Sequence, residues 1–182
     1  MIYYKEILLK DGRVLVLRNG ERKDAEYVLN NFISTHKESD YLLSLPEECS
    51  FTVEKEEEYL QVKKNAERDI ELLGIVDGVV VGTAGIDGVG RYKKISHRCT
   101  FGISISKEYW GQGIGKALTE ASIECAKKAG YHQVELEVVK DNERAMRLYK
   151  NLGFEIYGEN DRGFIRKSGD YQTLILMRKI LF

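Results

Sequence analysis

The chain has 182 residues, 43% hydrophobic and 31% charged, with a formal net charge of −1, which suits one globular domain over 1–182 with a sizeable core. Near-neutrality excludes the basic field that nucleic acid or an anionic membrane surface would require. Cys49, Cys99 and Cys125 form no CxxC, and His36, His97 and His132 have no metal-ligand spacing, so free thiols, a reducing cytoplasmic setting and no metal are expected.

Charges arrive too early in MIYYKEILLKDGR for a signal peptide, and no apolar run approaches membrane-spanning length. Residues 2–18 read as a hairpin turning at Asp11-Gly12, with Val14 and Val16 alternating. Asp24 to Lys37 places Ala25, Val28, Leu29, Phe32 and Ile33 on one helical face. His36, near the end of that helix, reads as solvated or as a partner for the helix terminus. Ser39 to Phe51 holds the single proline, Pro46, and reads as a loop. The next helix, about Val53 to Arg68, carries Glu54, Glu56, Glu57 and Glu58 early and Lys63 and Lys64 late. That order complements the helix dipole and predicts a charged surface helix.

A second hairpin follows, Ile70 to Val76 and Val79 to Ile86 about an Asp77-Gly78 turn. Gly85, Gly88 and Gly90 are expected to loosen its end, with Gly88 to Lys94 a mobile loop.

Thr100 to Ser106 alternates as a strand, and Ile114, Ala117, Leu118, Ala121 and Cys125 form a helical stripe that closes at Gly130. Between them runs Trp110-Gly111-Gln112-Gly113-Ile114-Gly115. Glycines let a ligand approach the backbone, and the amides of a first helical turn suit a phosphate or pyrophosphate. Walker A spacing fails, because Ala117 follows Lys116 and Trp110 replaces the first glycine. The dinucleotide pattern fails too, meeting Lys116 or Leu118 where its last glycine belongs. Around Ser104 the second glycine of a nucleophile elbow is missing.

Gln133 to Val139 reads as a strand with Glu135 and Glu137 on one face. Asn142 then caps a helix whose stripe is Ala145, Leu148, Tyr149 and Leu152, stopped by Gly153-Phe154. Asn142 and Tyr149, seven residues apart, share a helix face about 10 Å apart along its axis.

Gly113-x-Gly115 resembles the pyrophosphate loop of the GNAT N-acetyltransferases, departing at Trp110 where that family most often has Arg or Gln. The run Asn142-x-x-Ala145-x-x-x-Tyr149-x-x-x-Gly153-Phe154 resembles the family's second signature, twenty-seven residues after the glycine loop. The resemblance is specific over about Cys99 to Phe154. It implies an α/β GNAT acyl-CoA N-acyltransferase fold: a mixed, mostly antiparallel sheet of six to seven strands, flanked by about four helices and splayed between the fourth and fifth strands. Residues 155–182 would supply the last two strands.

The same resemblance implies acetyl-CoA as cosubstrate, lying in the splay. The backbone of Ile103, Ser104 and Ile105 would pair with its pantetheine arm, and the turn from Trp110 through Gly111, Gln112, Gly113 and Ile114 to Gly115 and Lys116 would hold the pyrophosphate. Asn142 would hydrogen-bond the arm. Tyr149 would protonate the leaving thiolate after direct attack by a primary amine through a tetrahedral intermediate, whose oxyanion a strand N–H could stabilise. Glu137 stands where the ribosomal-protein N-terminal acetyltransferases carry their catalytic glutamate and is the nominated base; Glu135 and water are the rivals. The acceptor would meet about Phe32 to Phe51 and Gly158 to Tyr171, where Tyr41, Glu47, Glu48, Asp161, Arg162 and Arg166 favour no single amine. A homodimer is compatible with the resemblance. The alternatives are a catalytically inactive acyl-CoA-binding sensor or scaffold and an unrelated nucleotide-binding protein.

Overall fold

The computed structural model describes residues 1–48 and 51–182; Cys49, read above as a free thiol, lies outside them. Among the described residues the chain forms β1 (Tyr4–Leu8), β2 (Val14–Asn19), α1 (Ala25–Glu38), α2 (Val53–Asn65), β3 (Ile70–Val76), β4 (Val79–Gly88) and β5 (Arg98–Ile105). There follow α3 (Ile114–Lys128), β6 (Gln133–Val139), α4 (Glu143–Asn151), β7 (Glu155–Ile165) and β8 (Tyr171–Ile180). The strands make one eight-stranded sheet in the order β1-β2-β3-β4-β5-β6-β8-β7. Only β5 and β6 pair in parallel; the other neighbours are antiparallel.

The sheet thus has eight strands rather than six to seven, and in chain order it splays between the fifth and sixth. The N-terminal hairpin makes the difference: β1 adds an outer strand, pairing with β2 from Tyr4↔Arg18 to Leu8↔Val14. Asp77 and Gly78 both have positive φ, as a tight two-residue hairpin turn requires.

Period-two alternation sorts the core onto two faces. Leu72, fully buried, joins the main cluster with Ile114, Leu118, Ala121 and Cys125 of α3. Its neighbour Leu73 points the other way, to Ala25 and Val28 of α1 and Leu60 of α2. So α1 and α2 cover one face, and α3 covers the other.

Helix α2 stops at Asn65, three residues short of the expected Arg68. Arg68 is instead engaged elsewhere: its guanidinium donates to the Ala129 and Ser96 carbonyls and lies 4.0 Å over the Tyr131 ring. The Thr52 hydroxyl caps α2 by accepting from the Lys55 amide at 3.4 Å. Cys99 and Cys125 are free and buried, and burial pushes both thiols up to about 12, leaving them protonated and inert. Among the described residues no helix is long and apolar enough to cross a membrane.

Candidate active site

The last paired residues of β5 and β6 are Thr100 and Glu135, after which the two strands part. The stretch Phe101–Ile105 therefore has β4 on one edge and no strand on the other. A cleft of about 1400 Å³ opens there, lined by Gly102, Ile103, Ser104 and Ile105 on one side and Leu136, Glu137 and Val138 on the other. Unpaired strand backbone of this kind can take an extended ligand as an added strand.

At one end of the cleft lies the glycine turn. Gly111 and Gly113 have φ of +82° and +90°, and a Cβ on either would meet nothing within 4 Å. These glycines are required by the left-handed backbone rather than by crowding. Gly113 is the N-cap of α3, so the first-turn amides stay free of a side-chain cap. Gly115 differs: a Cβ there would lie 3.3 Å from Ile105 Cδ1 and 3.5 Å from Leu148 Cδ2, so it lets strand, helix and α4 close together.

Gly111, Gly113, Gly115 and Lys116 line the cleft, whereas Gln112 and Ile114 do not. The Ile114 side chain is fully buried in the core. The Gln112 side chain is committed to Arg13 at 2.7 Å and to the Glu108 carbonyl at 2.9 Å. Both therefore offer only backbone to a ligand. Trp110 donates its indole N–H to the Ile105 carbonyl at 2.7 Å, and the Arg144 guanidinium lies 4.8 Å over its ring. The aromatic at this position thus ties the strand end to α4. Lys116, Arg144 and Arg147 bring cations to this end of the cleft, where Asp141 and Glu143 also line it.

Asn142 caps α4, accepting from the Ala145 amide at 3.2 Å, and also lines the cleft. Tyr149 is 7% exposed, packed edge-on to Phe101 with ring centroids 6.2 Å apart and tilted against Phe154 at 5.7 Å. Burial alone raises its pKa, so the phenol stays protonated. Gly153, φ +82°, and the bond from the Phe154 amide to the Tyr149 carbonyl end the helix as expected.

The two glutamates of β6 differ. Glu135 is buried and ion-paired with Arg98, Nη2 donating to Oε2 at 2.7 Å, with the Gln133 amide on Oε1 at 2.7 Å. These hydrogen bonds hold its carboxyl below its ordinary value, which makes it a weak base. Glu137 is exposed to the cleft and has no such partner among the described residues.

Several groups at the other end escaped the sequence reading. His36 lines the cleft instead of facing solvent. Its ring stacks on Phe32 at 3.8 Å, its Nδ1 sits 2.7 Å from the Phe32 carbonyl, and burial lowers its pKa. The ring is therefore neutral, with Nε2 left as an acceptor. Glu56, expected on a surface helix, is only 7% exposed and faces the cleft with Tyr59, Glu71 and Asp87. The signal was present in the spacing: Glu56, Leu60 and Lys63 are the buried residues of α2 and recur at helical intervals. Gly85 does not loosen β4; the Glu71 carboxylate fills the space its side chain would take.

Of the expected acceptor residues, Tyr41 lines this cleft and the others do not. Glu47 pairs with Lys167, Glu48 accepts from the Leu45 amide, Arg166 meets Asp141 at 3.3 Å, and Arg162 lies 5.0 Å over the Tyr171 ring.

A sequence model of the acetyltransferase (GNAT) family matches residues 36–154. The L-amino acid N-acetyltransferase AaaT of Escherichia coli is 33% identical over 111 residues, 60% of this chain and 67% of that protein. The N-alpha-acetyltransferase RimI of Mycobacterium tuberculosis is 32% identical over 97 residues, 53% of this chain and 59% of that protein. A GNAT-family acetyltransferase from Streptococcus pneumoniae superposes with a TM-score of 0.87 at 29% identity, covering 91% of this chain and 99% of that one. The fold is also that of yncA from Salmonella typhimurium, solved with its cofactor acetyl-CoA, with a TM-score of 0.82 at 15% identity and coverage of 92% and 94%.

Proposed function

The chain belongs to the acetyltransferase (GNAT) family, and on that footing we propose that it transfers acetyl from acetyl-CoA to a primary amine, that of a small metabolite or a protein N-terminus. Acetyl-CoA supplies a thioester whose carbonyl the amine attacks directly, through a tetrahedral intermediate. The observation that carries the reading is the layout of one cleft: uncapped helix amides with Lys116, Arg144 and Arg147 at the glycine turn, unpaired strand backbone at the splay, and Glu56, Glu71 and Asp87 beyond it. A diphosphate, an extended amide arm and an amine would each find a complementary surface in that order. The relatives named above take L-amino acids or N-alpha groups.

In this proposal the edge of Ile103–Ile105 pairs with the pantetheine arm. The amides from Gly111 to Gly115 hold the pyrophosphate, joined by Lys116; the Trp110 amide, expected among them, is instead spent on the Lys107 carbonyl at 3.1 Å. Asn142, its Oδ1 committed to the cap, offers its Nδ2 to the arm. Tyr149 donates its proton to the departing thiolate, a role suited to a phenol that burial keeps protonated. Glu137 takes the amine proton, directly or through a water. Bringing amine and thioester together accounts for much of the acceleration.

Titration of the purified protein with acetyl-CoA, against CoA, ATP and NAD, tests the cofactor half. Free-thiol release with a panel of primary amines tests the transfer. Absence of acetyl-CoA binding, or binding with no thiol release for any amine, would refute the corresponding half.

A further inference from the structure

The carboxylates beyond the splay have no task in holding a thioester. Glu56 is more than nine-tenths buried, faces the cleft, and has no hydrogen bond or ion pair among the described residues. Glu71 and Asp87 face the same space. The cation set among them, Lys63, is paired with Asp87 and lies 5.4 Å over the Tyr59 ring. Three carboxylates, Glu56 buried, Glu71 half-buried and Asp87 exposed, thus share one ammonium, an arrangement relieved by a further positive charge. Burial pushes the Glu71 carboxyl up to about 7, the direction expected for such a shortage. Among the described residues these groups are not arranged as metal ligands.

The sheet connects this chamber to the splay. Glu71, Gly85 and Gly102 stand opposite one another in a single row across β3, β4 and β5, so they share a face. The Glu71 carboxylate leans over Gly85, towards β5, and a Cβ at Gly102 would meet nothing within 4 Å. Bare backbone therefore separates the carboxylate from the splay by one to two strand spacings, roughly 5–10 Å.

We infer that Glu56, Glu71 and Asp87 form a subsite for a second positive charge on the acceptor, making the substrate class a small diamine with one amine at the splay and the other, protonated, among these carboxylates. The inference rests on the acetyl-transfer reading above. The unreactive ammonium anchors the molecule and sets the distance at which its free amine meets the thioester.

Calorimetric titration of the CoA-saturated protein with putrescine and with butylamine tests this without turnover. Putrescine should bind about tenfold tighter or more, and Glu56→Gln and Glu71→Gln should each erase most of that preference. Circular dichroism checks that both variants fold. On the wild-type protein, the preference should also shrink as salt is raised. Equal affinities, a preference that survives both substitutions, or one indifferent to salt would overturn the subsite. The CoA titration that precedes each run separates the two readings: failure to bind CoA refutes acetyl transfer, whereas CoA binding without a diamine preference refutes only the subsite.

Discussion

Arg98 and Glu135 clasp each other across the last rung before β5 and β6 separate, their side chains meeting diagonally on one face of the sheet. The pair marks where the cleft begins and engages the nearer glutamate, while Glu137 beyond it has no such partner among the described residues.

Glu135→Gln should cost about 1 kcal/mol, because Arg98 is one-third exposed and the pair is partly screened. The Glu135 carboxyl is depressed in the folded protein, so its contribution is present above its unfolded value, near 4.3, and lost as pH falls through the lower folded value. The variant should therefore differ from wild type in urea melts at neutral pH and converge with it in acid. Glu137→Gln should leave stability almost unchanged and reduce kcat about 10²-fold; an unaltered kcat would remove it as the base.

Tyr149→Phe should reduce kcat by about 10²-fold with little change in acetyl-CoA affinity. Because burial raises the phenol above its ordinary value of about 10, its ionisation should cause no fall in rate below about pH 9. A pH–rate profile by free-thiol release checks both statements.

Gly113→Val should weaken acetyl-CoA binding about tenfold or more and cost about 1–2 kcal/mol, since a β-branched residue is strained at φ +90°. Gly115→Val should also weaken binding, by a different route: its side chain presses on Ile105 and Leu148 and moves α3 from the strand end. Calorimetric titration beside thermal melts separates ligand loss from unfolding.

Glu71 makes a prediction of opposite sign to Glu135. Its folded value, about 7, is raised by burial above its ordinary value of 4.5, so the folded state binds the proton more tightly. Stability should be greatest below about pH 4.5 on this group's account and decline as pH rises to about 7. Urea melts at about pH 5 and pH 8 should show the decline, and Glu71→Gln should abolish it.

The sequence made the fold legible where a backbone rule was involved: the Asp77-Gly78 turn, the Asn142 cap and the Gly153-Phe154 stop all depend on local chemistry. The glycine turn was legible for the same reason. The acidic chamber was legible only faintly, in the Glu56, Leu60 and Lys63 spacing, because burial is decided largely by partners distant in the chain. Glu56 sits in a run of glutamates that differ only in which way they face. Glu71 carried a clearer signal, a lone carboxylate in the apolar run Ile70–Val76. His36 was misread although its shielding partner, Phe32, lies one turn earlier on the same helix, and the arginines near the C-terminus because their charges are spent on surface partners.

The parted strands have a consequence for the protein on its own. The sheet is two leaves, β1–β5 and β6–β8–β7, joined among the described residues by a short backbone seam, the ladder from Arg98–Gln133 to Thr100–Glu135 and the bonds of the His132 and Gln133 amides to the His97 carbonyl. Beyond that seam the leaves are held by side chains, with Phe101 of one leaf packed against Tyr149 of α4. A ligand arm that pairs with the open edge finishes the ladder, so it acts as a missing strand of the protein as much as a guest. The free chain leaves that ladder unfinished, and in the proposed complex the pantetheine arm would complete it.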